Sequence, residues 1–527
     1  MQRLLTVLAL SLSCAAANAA GFIFSNTQGP HQVGWRVQQQ YDYSRVFKTR
    51  TDLLTAQPSS GERARPVQAL VWYPAAGKGA PVRYRDYLAT IATEADFTLG
   101  AEQVTKSTDA LIARSVSRAA HPQAQQEVSR IMWAQRDAAP KAGRFPVVIY
   151  APSLSASAAE NTDLCEYLAS HGYIVLSSPS MGPRARPMTT DLEGLESQAG
   201  DIGFLIAQAQ KMPQADMASI AVVGFSWGGL ANVIAAARDD RIGAVVSLDG
   251  SLRGYPEFID GGKDAAKYVA PARVAIPLLY IAKRPLTPEQ LQRRDIQTAY
   301  SFINRMKYSD VYVVSMYPMD HADFSSDWLR FAPDSSYTDY TRDEAAMAHS
   351  WTARYVQRFL DAYLKRDAAA LAFLSQSPKQ NGAPAHMMSL DVKRASAEAP
   401  TMENFVRVLA RQGFAEAVPV YERFHADDAS FALDSNSFNQ WGYQLLRAGR
   451  DKDGLEIFKL AVQVHPKDGN LFDSLAEAYE KSGDKTRAIA SYQRSLELWP
   501  ANTNAQARLK ALGASASAGA AAPGATN

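Results

Sequence analysis

Cysteine is nearly missing from this chain. It has two among 527 residues, and Cys14 falls in a stretch that reads as a removable leader, so a disulfide framework is excluded. The other, Cys165, sits among Leu164, Tyr167 and Leu168 in a helical pattern, and reads as a small core residue rather than a reactive thiol. No Cys/His cluster has zinc spacing, and neither a Walker loop nor a dinucleotide glycine fingerprint occurs. No metal and no organic cofactor is therefore expected. An excess of one charge is lacking too: 55 Lys and Arg stand against 53 Asp and Glu, a net charge of +2. That balance gives no reason to expect nucleic acid or an anionic membrane as partner. Nor does a transmembrane segment remain once the leader is removed.

The leader itself is well marked. Met1-Gln2-Arg3 is a short positive start, Leu4 to Ala17 is apolar, and Ala17-Asn18-Ala19 is a small-x-small cleavage site. This pattern predicts a secretory signal peptide over residues 1–19 and a periplasmic or secreted protein. The apolar run is shorter than the ~20 residues a membrane span needs. Lipoprotein processing at Cys14 is the alternative, but it wants an aliphatic residue where Ser11 stands. The length implies two or three domains, and 47% hydrophobic with 20% charged residues is ordinary for a soluble globular protein.

Val33 to Gln38 and Val67 to Tyr73 alternate in polarity, as leading antiparallel strands do. Residues 80–140 are polar and mostly helical in pattern, with no strand. They read as an insertion over the sheet edge, either a cap near the active site or a peripheral excursion. From Pro146 onward β and α patterns alternate. Strands are expected at Val147–Tyr150, Tyr173–Leu176, Ile220–Val223, Ile242–Leu248, Leu278–Ala282 and Val311–Met316. Helices are expected at Ala158–His171, Leu192–Met212 and Arg342–Leu364. Such alternation implies a mainly parallel sheet with right-handed crossovers, here a domain over residues 20–374. Residues 375–400, rich in Ser, Pro, Ala, Lys and Gly, read as a linker.

Beyond the linker the pattern is all helical and repeats itself at a fixed interval. Phe438 matches Phe472, Leu445 matches Tyr479, Gly449 matches Gly483, Phe458 matches Tyr492 and Pro466 matches Pro500. Gly442 and Gly454 match Ala476 and Ala488. The interval and the pattern resemble those of the tetratricopeptide repeat, in which small residues let paired helices approach and aromatics fill the space opposite. Ser437-Phe438-Asn439-Gln440 reads as a capping box opening the first copy. Phe405 to Phe424 would add a degenerate pair and Thr503 to Leu512 a capping helix, giving a helical-repeat domain over 401–512 suited to a protein partner. Residues 513–527 read as a disordered tail.

Chemistry concentrates in Gly224-Phe225-Ser226-Trp227-Gly228-Gly229, between the apolar run Ile220–Val223 and the helix former Leu230–Ala237. Strand, tight turn and helix make G-x-S-x-G a nucleophile elbow, with the helix N-terminus under the serine suited to developing negative charge. A serine hydroxyl needs a base, and the base needs a carboxylate; in this fold the order is Ser, acid, His. Downstream histidines in the domain are His321 and His349. His349 lies inside a long amphipathic helix as a surface or packing residue, whereas His321 follows the last strand directly, where a base can hang toward the elbow. The strand Leu278–Ala282 is followed by Lys283 and Arg284, with no carboxylate before Glu289. The preceding strand ends in Asp249-Gly250, which makes Asp249 the preferred acid. Asp239 and Asp240 read as surface residues, and Asp320 and Asp323 as a fallback too close in sequence to face the His321 ring.

Together GFSWGG, VVSLDG, DHADF and the segment FPVVIYAPSLSASAAENTDLCEYLASHGYIVLSSPS resemble the platelet-activating-factor acetylhydrolase-like branch of the α/β-hydrolases, related to dienelactone hydrolases. The resemblance implies an α/β-hydrolase fold, with Ser226 as nucleophile, Asp249 as acid and His321 as base. It also implies an oxyanion hole from the backbone N–H groups of Trp227 and Leu154. One departure stands out: the family has His-Gly before that leucine, and this chain has Pro152-Ser153. The implied activity is hydrolysis of a small-molecule or lipid ester. An amidase or peptidase on the same residues, or an inactive scaffold with a binding domain, are the alternatives. Tyr255, Phe258 and Tyr268 read as pocket walls or as core.

Overall fold

Strands that are apolar on both sides demand cover on both faces of the sheet. In the computed structural model the chain meets that demand. The structure describes residues 21–515 except 53–54, 253–254, 256–257, 260–268, 270–273 and 294–301. The leader, residues 516–527 of the tail, and Tyr268 lie outside the described residues. The chain divides into two compact units, Met1–Ala397 and Glu398–Asn527.

The strands of the first unit are β1 (Gln32–Val46), β2 (Ala64–Ala75), β3 (Ala80–Arg83), β4 (Ile131–Arg136), β5 (Phe145–Ala151), β6 (Ile174–Ser177), β7 (Ala215–Phe225), β8 (Ile242–Leu248), β9 (Leu278–Ala282), β10 (Val311–Met316) and β11 (Met388–Lys393). They form one sheet in the order β11-β10-β9-β8-β7-β5-β6-β2-β1-β4-β3. The six central strands, from β10 to β6, pair in parallel. Successive residues of β5 point to opposite layers. Val147 and Ile149 join Leu205 and Ile234 on one face. Val148 and Tyr150 join Leu168 and Phe359 on the other. Full burial of such side chains contributes about 1.5–3 kcal/mol each, which is why the central strands tolerate no polar alternation. The long closing helix Arg342–Leu364 is capped by the Thr341 side chain.

Two expectations fail at the edges of this sheet. Residues 80–140 are not free of strands: β3 and β4 bracket the helices, and β4 pairs in parallel with β1 through Val33 and Ala134. The helical pattern running on from Gln123 masks the alternation in Ile131–Arg136. Residues 375–400 are not a linker either. The helix Ala368–Ser375 ends there, and β11 pairs antiparallel with β10 from Val311↔Lys393 to Met316↔Met388. Met388–Lys393 alternates apolar and polar as an edge strand with one exposed face does, but the Ser, Pro, Ala, Lys and Gly around it hide so short a run.

The second unit is all helix among the described residues. It holds Met402–Gln412 and Ala417–Asp427, then the pairs Ser435–Arg447 with Asp451–Val464 and Gly469–Lys481 with Lys485–Leu498, then Thr503–Ala511. Both helices of the second pair start at the same offset from their counterparts in the first, Gly469 from Ser435 and Lys485 from Asp451. The cap of the first pair differs from expectation: Asp434, not Ser437, is the N-cap, and its carboxylate accepts the Ser437 N–H at 2.9 Å. Asp468 caps the equivalent helix of the second pair, at the same place in the repeat. Residues 513–515 close the last helix, with Gly513 at φ 72°.

Gly442 sets how closely the first pair packs. A Cβ there would lie 2.4–2.7 Å from three ring atoms of Phe458, which is buried. Alanine would gain about 0.5–1 kcal/mol of helix preference but overpack the ring, an error that costs about 1–3 kcal/mol. Gly442→Ala is therefore expected to destabilise the second unit by about 1 kcal/mol. Calorimetry of the full chain would show this as a transition lowered by about 4–8 °C.

Candidate active site

The sheet has a crevice built into its order. Strand β5 has β6 on one side and β7 on the other, so the chain reverses its direction of travel across the sheet there. Loops leaving the carboxyl ends of such neighbours diverge, and ligands bind between them. Ala151 pairs with Gly224, so the loops after β5 and β7 leave the sheet side by side. After β7 the chain enters the helix Trp227–Arg238 with one intervening residue, Ser226, at φ 53° and ψ −115°. That conformation costs a non-glycine residue about 1–3 kcal/mol and persists only where its surroundings over-determine it.

Three glycines supply those surroundings. A Cβ on Gly228 would stand 2.0 Å from the Ala151 carbonyl oxygen and 2.6 Å from that of Pro152. On Gly224 it would meet the Gly228 carbonyl at 2.6 Å, and on Gly229 the Ser247 hydroxyl at 2.6 Å. The helix N-terminus therefore rests directly on the ends of β5 and β8. The Ser226 N–H donates to the Leu248 carbonyl at 3.0 Å, and its own carbonyl accepts from Ser251 at 3.0 Å and Gly229 at 3.1 Å.

Held this way, the Ser226 hydroxyl makes no capping bond to its own helix. It lies 2.9 Å from His321 Nε2, and His321 Nδ1 lies 2.5 Å from Asp249 Oδ2. Asp249 directly follows β8 at φ 39°, with its N–H on the Ile281 carbonyl at 2.6 Å. Its Oδ1 accepts the Lys283 N–H at 3.2 Å, and Lys283 Nζ stands 4.0 Å from Oδ2. A carboxylate can only accept, so Nδ1 of His321 carries the proton and Nε2 is left to take one from the serine. His321 opens a short 3-10 turn, His321–Phe324, its ring 5.0 Å from that of Phe225, and its side chain is 44% exposed. The three residues chosen from sequence thus meet in one hydrogen-bonded chain.

The residues set aside are occupied elsewhere. Asp320 pairs with Arg284 at 2.7 Å, and Asp323 accepts the Asp320 N–H at 2.7 Å, with burial pushing its carboxyl up to about 6. Asp239 pairs with Arg241 at 2.6 Å. His349 is a packing residue: it is buried, its ring meets Phe22 edge-on at 5.9 Å, and Nδ1 donates to the Asp323 carbonyl at 3.1 Å. It thereby holds the turn that carries His321. Tyr255 and Phe258 pack on Trp227, at 5.3 and 6.2 Å between ring centres, within a core layer. Cys165 is buried and free, its thiol pushed up by burial.

Of the two amides expected in the oxyanion hole, Trp227 is the first residue of its helix, where no intrahelical acceptor exists for its N–H. Leu154 lies in the exposed loop after β5. Several side chains that the sequence does not mark hold this loop. Gln198 Nε2 donates to the Pro152 carbonyl at 2.8 Å. Arg186 donates to the carbonyls of Ser155 at 3.1 Å and Ala156 at 3.4 Å. Arg186 is held in turn by Glu94, whose other oxygen accepts the Ala158 N–H at 3.1 Å. Glu94 belongs to the insertion and is fully buried, and burial pushes it up to about 7. Polar pairs between distant segments have no period, and no local sequence signal could have found them.

Residues 134–271 match the dienelactone hydrolase family. The first unit has the α/β-hydrolase fold, and an all-helical region follows it. No curated protein matches the chain. Among solved structures, a ferulic acid esterase from Streptomyces cinnamoneus is similar at 18% identity and a TM-score of 0.46, over 66% of this chain and 94% of that one.

The buried His349 has a consequence for acid stability. Burial holds it down at about 4, against an ordinary value of 6.5. Below 6.5 the unfolded chain binds a proton that the folded chain refuses, so stability present above 6.5 is lost as pH falls toward 4. In urea titrations, the stability of wild type relative to His349→Gln should drop by about 2 kcal/mol between about pH 7 and about pH 4.5.

Proposed function

We propose that the protein is an exported serine hydrolase that cleaves carboxylic esters, of short-chain or phospholipid type, through an acyl-enzyme. The single observation that carries the reading is the chain Ser226–His321–Asp249, at 2.9 and 2.5 Å, on an elbow whose serine is held at φ 53°. The family match supports it, since residues 134–271 include both Ser226 and Asp249. Nε2 of His321 takes the hydroxyl proton as Ser226 Oγ attacks the ester carbonyl. The N–H groups of Trp227 and Leu154 hold the resulting oxyanion, a contribution of ~3 kcal/mol per donor. Asp249 holds the imidazole tautomer and stabilises the imidazolium, which then protonates the departing alcohol. Water, deprotonated by His321, attacks the acyl-enzyme, and the carboxylic acid leaves with Ser226 reprotonated.

Export rests on the leader pattern of residues 1–19. The two helix pairs in matching register, each capped by an aspartate, and the Gly442 contact with Phe458 support a tetratricopeptide-like array that docks a protein partner. Ser226→Ala is expected to lower p-nitrophenyl acetate turnover by roughly 10⁴-fold or more, and to abolish labelling by a fluorophosphonate, at unchanged thermal stability. Persistent turnover or labelling in the variant refutes the assignment. Faster turnover of an aminoacyl p-nitroanilide than of matched short-chain esters would move the activity to amides.

A further inference from the structure

The family that the sequence resembles has a glycine before the leucine expected to face the oxyanion, and Ser153 stands at that place before Leu154. The structure shows what takes the place of the glycine's freedom. Glu160, at the far end of the same loop, is buried, and its carboxylate turns back to the loop's beginning. Oε2 accepts the Ser153 N–H at 2.9 Å and the Tyr150 hydroxyl at 3.2 Å, and Oε1 accepts the Ser153 hydroxyl. The Ser153 carbonyl accepts the Ala156 N–H at 3.0 Å, which closes a turn with Ser155 at φ 58°. Ser153 is therefore held at its N–H, its side chain and its carbonyl. With all three fixed, the peptide plane joining Ser153 to Leu154 has one orientation. A turn closed in this way makes no use of the N–H of its second residue, here Leu154.

The other end of Glu160 is anchored near the base. Its carbonyl accepts the Asp327 N–H at 3.2 Å and the Ser325 hydroxyl at 3.3 Å, on the segment that follows His321. Asn161 reinforces both sides, donating to the Tyr150 hydroxyl at 2.8 Å and the Phe324 carbonyl at 2.7 Å. A buried carboxylate is costly to desolvate, and an apolar residue of the same size would fill the space without that cost. What an apolar residue cannot do is fix the direction of two hydrogen bonds to Ser153.

We propose that Glu160 is the positioning residue of the oxyanion loop, holding Ser153 so that the Leu154 N–H faces the reacting carbonyl. The assignment rests on the ester-hydrolase reading above. Acylation and deacylation both pass through an oxyanion, so a misplaced Leu154 slows the two steps together and leaves KM in place.

The test measures p-nitrophenyl acetate kinetics, inhibition by a trifluoromethyl ketone and thermal unfolding for wild type, Glu160→Leu, Glu160→Gln and Ser153→Ala. Glu160→Leu should lower kcat by roughly 10–100-fold with KM within about twofold, and weaken the ketone by the same factor. Glu160→Gln, which keeps one acceptor for the Ser153 N–H, should recover part of the loss. Ser153 is half-buried, so Ser153→Ala removes the hydroxyl bond without opening the core and reads the same effect if Glu160→Leu does not fold. A carboxylate that serves folding alone would lower thermal stability and leave kcat and ketone affinity of the folded protein unchanged; that result overturns the assignment. A wild-type protein that neither turns over the ester nor takes a fluorophosphonate at Ser226 overturns the hydrolase reading, and this assignment with it.

Discussion

The approach of the helix Trp227–Arg238 to the ends of β5 and β8, with no room for a Cβ at Gly224, Gly228 or Gly229, is the constraint on which the site depends. It forces Ser226 into a positive φ, which swings the hydroxyl off its own helix and toward His321. The same contact sets the Pro152 carbonyl beside the helix N-terminus, so the two amides expected to face an oxyanion start from adjacent strands. Asp249 follows because β8 is the next strand in the sheet: Phe225 pairs with Leu248, and each chain leaves the sheet one residue later. Two residues of the hydrogen-bonded chain, Ser226 and Asp249, and Ser155 in the loop all sit at positive φ. Strain of this kind needs a rigid support, and parallel strands buried on both faces provide one.

How much of this is legible in the sequence follows from how local each signal is. The elbow is legible because strand, glycine turn and helix are contiguous. His321 and Asp249 are legible because each comes after a mostly apolar strand rich in β-branched residues. The helix Arg342–Leu364 carries its own cap at Thr341, and its bounds match the expected ones. The edge strands are not legible. Met388–Lys393 does alternate apolar and polar, but a run of six inside a polar stretch is a weak signal, and the ladder on β10 is what holds it as a strand. The cap at Asp434 escapes a sequence reading for a related reason: Ser, Asn and Asp crowd residues 434–437, and only the backbone bond to Ser437 decides which one caps. Lys283 and Arg284 deny their strand the role of supplying the acid. Both still serve the site, Lys283 through Asp249 and Arg284 through Asp320 and the Met319 carbonyl.

The insertion at residues 80–140, which reads from sequence as either a cap or a peripheral excursion, bonds to segments on both sides of the site. Its polar groups reach the loop after β5 and the segment after His321. Glu94 bonds the Ala158 N–H and holds Arg186 against the loop after β5. Tyr84 donates to Asp327 at 2.7 Å, and Glu127 meets the fully buried Arg330, both on the segment after His321. Arg330 also grips Asp163 at 2.6 Å, in the helix that follows the loop after β5. Apolar contacts alone would let these segments slide, because dispersion and burial are indifferent to small displacements along a surface. Directional bonds between buried charges are not indifferent: a small shift leaves a carboxylate or guanidinium unsatisfied where no water can replace its partner. A buried ionic network is a poor source of net stability but an effective way to fix relative position. The loop after β5 and the turn that carries His321 need that tolerance with respect to each other, and two separate sets of buried charges supply it: Glu94 with Arg186 fixes the loop, and Arg330, held by Glu127 and Asp163, ties the segment after His321 to the helix that follows the loop.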